Sequence, residues 1–136
     1  MNFKINHLQH IGIPVADIKT SEAFYEKLGF KNVMSTVFDF KDKQGNVAML
    51  QRDDMIIEIY QMPEPELTEI RNRKDGHVDH IAFDVDDIEA EMKRLQEEGF
   101  VLLNDKPKQG ADNKMVCFLH PKHTHGVLIE LCMERK

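Results

Sequence analysis

A chain of 136 residues with 41% apolar and 31% charged content is long enough to bury one core, and it contains no apolar run long enough to span a bilayer. Its net charge of −6 and its dispersed lysines and arginines argue against nucleic acid as a partner, because phosphate binding needs a concentrated basic surface. The first residues, Met-Asn-Phe-Lys-Ile-Asn-His, lack the apolar stretch of a secretory leader, so a soluble, acidic, cytoplasmic protein is expected.

The first element is a strand. Ile11, Ile13 and Val15 alternate with His10, Gly12 and Pro14, which is the period of a half-buried strand with His10 on the face opposite the isoleucines. Asp17 stands where a helix N-cap belongs, and the helix that follows carries Ile18, Phe24, Tyr25 and Leu28 as apolar positions. Gly29 ends it. Strands are predicted over residues 33–40 and 47–50, flanking a polar turn at 41–46, and over 55–60 after a second turn. Residues 61–76, with Pro63 and Pro65, read as a connection with a short helix around 66–73.

The same order then recurs. His80-Ile-Ala-Phe-Asp-Val-Asp-Asp-Ile88 aligns without a gap on His10-Ile-Gly-Ile-Pro-Val-Ala-Asp-Ile18, and Gly99-Phe100 falls on Gly29-Phe30. Asp86 and Glu89 have the spacing of a capping box, Ile88, Met92 and Leu95 form a helical stripe, and strands are predicted over 101–103, 115–119 and 127–131. Each half therefore reads strand, helix, three strands.

Each half also places a glutamate in an apolar run, Glu58 in Met-Ile-Ile-Glu-Ile-Tyr and Glu130 in Val-Leu-Ile-Glu-Leu. A carboxylate among apolar neighbours needs a cation or a proton, since burying an unpaired charge costs several kcal/mol, roughly. Two imidazoles and two carboxylates at equivalent places point to one divalent metal held by His10, Glu58, His80 and Glu130, with Zn, Ni, Co, Mn or Fe all suited to the donor set. The two cysteines, Cys117 and Cys132, have no Cys-x-x-Cys spacing and are expected to be buried free thiols, though Cys132 shares strand parity with Glu130. His7, His77, His120, His123 and His125 fall at predicted strand ends or turns, and His123-x-His125 offers a weaker chelating pair.

With these motifs in hand, the chain resembles the vicinal oxygen chelate superfamily, which includes glyoxalase I, methylmalonyl-CoA epimerase, extradiol dioxygenases, fosfomycin-resistance transferases and bleomycin-binding proteins. The resemblance rests on Gln9-His-Ile-Gly-Ile-Pro-Val-Ala-Asp-Ile with Phe24-Tyr-Glu-Lys-Leu-Gly-Phe30, on Asp79-His-Ile-Ala-Phe-Asp-Val-Asp-Asp-Ile, and on Gly126-Val-Leu-Ile-Glu-Leu131. It implies an α+β fold of two paired βαβββ modules, forming a cupped mixed β-sheet around a metal site. The modules would span about 5–60 and 77–133 within a single domain, 1–136, joined by a linker at 61–76. It puts the metal ligands on His10, Glu58, His80 and Glu130.

The quartet matches bacterial glyoxalase I, and it also matches methylmalonyl-CoA epimerase, in which the second ligand can be Gln. Lys106-Pro-Lys-Gln-Gly-Ala111 and Phe118-Leu-His-Pro-Lys122 look like the closing segment of the epimerase. Where the epimerase has a second catalytic glutamate in a Glu-Gln-Gly turn, this chain reads Asp42-Lys43-Gln44-Gly45, which departs from the pattern and leaves Asp42 as a substitute. Both activities share proton transfer at carbon α to a carbonyl of a thiol-linked substrate, carried by glutathione or CoA. The resemblance makes Glu130 the first choice for the base and Glu58 the second. Lys106, Lys108, Lys122, Arg71 and Arg73 are candidates to meet an anionic carrier. A homodimer is expected, with no nucleic-acid or membrane partner. The competing classes are a non-catalytic small-molecule binding or resistance protein, and a dioxygenase of the same fold.

Overall fold

The computed structural model describes residues 4–73, 78–111, 113–124 and 128–135. Among these residues lie eight strands and three α-helices, in the order β1 (Ile5–Pro14), α1 (Ile18–Lys27), β2 (Lys31–Phe40), β3 (Lys43–Arg52), β4 (Met55–Gln61), α2 (Glu66–Asn72), β5 (His80–Val85), α3 (Ile88–Glu97), β6 (Lys108–Gln109), β7 (Lys114–Leu119) and β8 (Leu128–Glu134). The βαβββ order expected for each half is present twice, α2 lying in the connection. No helix among the described residues is long and apolar enough to cross a membrane. The chain divides into two compact units, one of His10–Asp79 and one of His80–Lys136 with Met1–Gln9.

In the unit His10–Asp79 the strands are hydrogen-bonded in the order β2-β3-β4-β1. β1 runs parallel to β4, and the β2/β3 and β3/β4 pairs are antiparallel. Strand alternation sends Ile13, Ala48, Leu50, Ile57 and Ile59 to the helix side, where they pack with Val15, Ile18, Tyr25 and Phe30. Asp17 caps α1 by accepting from the Thr20 N–H at 3.0 Å, and that backbone bond holds its carboxyl below the usual range. Gly29 follows at φ +91°, the left-handed turn that a helix C-terminus favours. Phe24 and Leu28 are exposed, so the outer side of α1 leaves apolar surface in solvent.

The polar turn is shorter than the sequence predicts. Only Lys41 and Asp42 lie between β2 and β3, both at positive φ, as in the two-residue hairpins whose twist matches the strands. Residues 43–46 belong to β3. Gly45 marked a turn in the sequence, yet it is a strand residue opposite Phe38, and a Cβ there would stand 2.4 Å from the Phe38 ring and 2.6 Å from the Gln61 carbonyl oxygen. The glycine permits close packing instead of a turn.

In the other unit the order is β5-β8-β7-β6, with β5 parallel to β8 and the remaining pairs antiparallel. Val85, Ile88, Met92, Leu95, Cys117, Leu119 and Leu131 form its core. Each fully buried aliphatic side chain here contributes about 1.5–3 kcal/mol. The first half of β1 belongs to this unit, and the Asn6 side-chain amide donates to Asp84 at 2.8 Å and to Asp86 at 2.9 Å. His7 is therefore an exposed residue within a strand, not at its end. The helix cap is Asp87, accepting from the Ala90 N–H at 3.1 Å, so the predicted Asp86/Glu89 box does not form: Asp86 is engaged by Asn6. Residues 101–103 are not a strand. Leu102 alone bridges to Leu119, Val101 and Leu103 are exposed, and pairing resumes only at Lys108, opposite Val116.

Candidate active site

His10 and Glu58 meet through strand register. Gly12 pairs with Glu58 across the parallel β1/β4 ladder, so His10, two residues earlier, shares its face. The isoleucines that alternate with them are drawn to the helix side and fix that orientation, because a slip of one residue would exchange the faces. His10 is buried, the Glu58 side chain is 13% exposed, and Nε2 lies 3.7 Å from Oε2.

The second unit repeats this construction. Ala82, the repeat equivalent of Gly12, pairs with Glu130, and His80 stands two residues earlier. His80 Nε2 lies 3.6 Å from Glu130 Oε1, and both side chains are 7% exposed. Two donors each about 2.1 Å from a tetrahedral ion stand about 3.4 Å apart. Each pair is thus spaced as two ligands of one cation are, beyond the length of a normal N–H···O hydrogen bond. The donor chemistry, imidazole nitrogen with carboxylate oxygen, fits a divalent transition metal.

Around each pair the same sheet face carries further groups. Tyr60 shares the Glu58 face and packs its ring edge-on to Phe38. Burial, then the charge and hydrogen bond of Asp79, then the charge of Glu58, push the Tyr60 phenol far above its ordinary value, so it is a permanent O–H donor. In the other unit Phe118 pairs with Glu130, stands edge-on to the His80 ring at 6.1 Å, and carries the Lys108 ammonium 5.2 Å from its centroid. Neither aromatic stood out in the sequence as a site residue. Their parity with the glutamates is the signal that finds them.

Other sequence candidates fall elsewhere. Lys43 and Asp42 sit at the hairpin end, and at about 3.3 Å per residue the strand from Lys43 to Met49, the neighbour of Glu58, is about 20 Å long. Lys43 shares the parity of Met49, and so the Glu58 face, but it stands at the far end of the strand and donates to the Glu64 carbonyl at 2.7 Å, while Asp42 is exposed in the turn. Cys132 and Cys117 are fully buried free thiols, and the Cys132 thiol donates to the Phe83 carbonyl at 3.5 Å. Lys106, Lys122 and Arg71 are exposed, and Arg73 lies 3.8 Å from Glu69. His120 Nδ1 accepts from the Lys122 N–H, a structural role. His77, His125 and the side chain of His123 lie outside the described residues, and with them the His123-x-His125 pair.

Comparison with known proteins supplies the context for this geometry. A family model described as the Glyoxalase/Bleomycin resistance protein/Dioxygenase superfamily matches residues 9–118. The ethylmalonyl-CoA/methylmalonyl-CoA epimerase of Cereibacter sphaeroides is 34% identical over 132 residues, covering 93% of this chain and 97% of its own length. The uncharacterized protein YqjC of Bacillus subtilis is 31% identical over 134 residues, covering 94% of this chain and 92% of its own. A methylmalonyl-CoA epimerase solved in complex with methylmalonyl-CoA and NH4+ superposes with a TM-score of 0.81 at 26% identity, covering 96% of each chain.

Proposed function

This chain belongs to the glyoxalase/bleomycin resistance protein/dioxygenase superfamily, and from that premise we propose that it is a divalent-metal-dependent epimerase of a CoA-linked acyl thioester, with methylmalonyl-CoA as the first substrate to test. The observation that carries the reading is the 34% identity over nearly the full length to an epimerase of that type. The repeated His–Glu register supports it, because epimerisation needs one group to remove a proton and another to return it on the opposite side of the carbon. The relatives move the reading away from the lactoylglutathione lyase alternative, which the quartet by itself served equally well.

In this reading His10, Glu58, His80 and Glu130 hold the metal. A bound divalent ion would supply Lewis-acid polarisation of the thioester carbonyl there. Glu130 removes the proton from the α-carbon. Glu58, starting in its protonated form, returns a proton to the other side. Buried Val47 and Met49 on the Glu58 face, and Ala82, Val116 and Cys132 on the Glu130 face, limit competing water, which strengthens each charge interaction. Phe24, Leu28, Val33 and Val37 leave apolar surface exposed, which supports a homodimer in which a second copy covers it.

The test is proton NMR in D2O with metal-reconstituted protein, offering methylmalonyl-CoA and, in parallel, the methylglyoxal–glutathione hemithioacetal. Deuterium entering the α-carbon of methylmalonyl-CoA, with a single epimer converted into a mixture of both, is expected. Lactoylglutathione forming in its place, or no exchange in either sample with metal bound, sinks the epimerase reading.

A further inference from the structure

The face that carries His80 and Glu130 also carries a cation that has no counter-ion among the described residues. Lys108 pairs with Val116, Val116 with Cys132 and Phe118 with Glu130, so all of these side chains emerge on one side of the sheet. The Lys108 ammonium sits 5.2 Å from the Phe118 centroid, and the Phe118 ring is perpendicular to the His80 imidazole. The ring holds the cation by its quadrupole, and the exposed remainder of the side chain leaves the ammonium's other donors open to a ligand.

Lys114, on the same face, differs in having an acidic partner: it lies 3.7 Å from Glu134. Among the described residues none forms an ion pair with Lys108. In a chain of net charge −6, a cation held on an aromatic ring beside the imidazole and carboxylate of the site, with no acidic partner among the described residues, calls for an anion from outside.

We propose that Lys108 is a specificity-determining residue that recognises a carboxylate attached to the α-carbon of the acyl group, which restricts the site to carboxyacyl thioesters. The proposal rests on the epimerase reading and deepens it. Losing the α-proton places new negative charge on atoms beside the existing carboxylate, and an ammonium at that carboxylate offsets the repulsion between them. Lys108 binds and orients in this role, and it takes no proton. The substrate has a second source of anionic oxygen, the phosphates of CoA, and the experiment separates the two.

Metal-reconstituted wild type, Lys108→Gln and Lys108→Arg are titrated calorimetrically with malonyl-CoA and with propionyl-CoA, which share the CoA and differ in the carboxylate. Wild type is expected to bind malonyl-CoA more tightly. Lys108→Gln is expected to lose roughly tenfold or more in affinity for malonyl-CoA, the size of a charged hydrogen bond, with propionyl-CoA unchanged, and Lys108→Arg to recover most of the loss. Equal losses on both esters assign Lys108 to the phosphates and overturn the proposal. No loss on either, or no preference for malonyl-CoA in wild type, overturns it as well. Unchanged thermal midpoints exclude misfolding, since Lys108 is exposed and buries nothing. Because binding is read without turnover, a wild type that binds malonyl-CoA but exchanges no proton sinks the epimerase reading and leaves Lys108 to be judged by the titrations.

Discussion

Helix α3 buries Ile88, Glu91, Met92 and Leu95, whereas α1, its repeat equivalent, has no buried residue. The strand after α1 has ten residues, and among the described residues the strand between α3 and β7 has two. Yet the His–Glu register is the same in both units, with separations of 3.7 and 3.6 Å. The two units share the His–Glu face while their outer layers differ. This division follows from strand geometry: alternating side chains let one face change without moving the other, provided the register holds.

The largest expected break in this equivalence is catalytic. Glu130→Gln should lower epimerisation about a thousandfold, within the range for loss of a positioned acid–base group, and Glu58→Gln should lower it less. Metal content measured alongside turnover separates loss of chemistry from loss of the ion, and equal losses in the two variants would remove the asymmetry between the glutamates. Metal affinity should instead be symmetric. His10→Ala and His80→Ala should each weaken binding by more than about a hundredfold in chelator competition, since even outer partners of metal ligands cost about 10–100-fold. A large difference between the two variants would show that the pairs are not equivalent ligands.

Stability should follow the helices. Leu95→Ala, in the core under α3, should cost about 2–5 kcal/mol in urea unfolding, and Phe24→Ala on α1 no more than about 0.5 kcal/mol. Comparable costs would mean that α1 is covered in solution. The smallest effect concerns Cys117, whose thiol burial pushes up from 9.0 to about 12. Between those values the unfolded chain ionises this thiol and the folded chain does not. Its contribution is therefore intact below about pH 9 and is lost as pH rises toward 12. Urea midpoints at pH 8 and pH 10 should fall more in wild type than in Cys117→Ala, and parallel declines would contradict this.

Much of this was legible in the sequence, where two independent signals agreed. Asp17 and Gly29 bracket α1 as capping chemistry dictates, and the alternation around His10, Glu58, His80 and Glu130 gave their faces because isoleucine, valine and leucine mark the opposite side. Failures came where one local signal stood alone. Val101-Leu102-Leu103 is a strand-like apolar run, but the Val101 and Leu103 side chains find no core and remain exposed, so propensity goes unsupported by packing. Asp86 has the spacing of a cap, but the amide of distant Asn6 takes its carboxylate. The pairing of Lys108 with Phe118 depends on the β6/β7 register across an irregular loop, which periodicity does not encode.

The β2–β3 hairpin closes on two residues and pairs down to the strand that borders Glu58. Its ladder therefore behaves as an adjustable arm with a parity rule. Adding or deleting one residue on each side of Lys41-Asp42 makes each strand longer or shorter by a single step at the tip and leaves every pair nearer the site in place. An unmatched single insertion in either strand must be absorbed as a bulge, as already occurs between Asn32 and Met34, or it turns the inward face outward. The length of the arm can thus change by matched steps while the residues at its base remain in register.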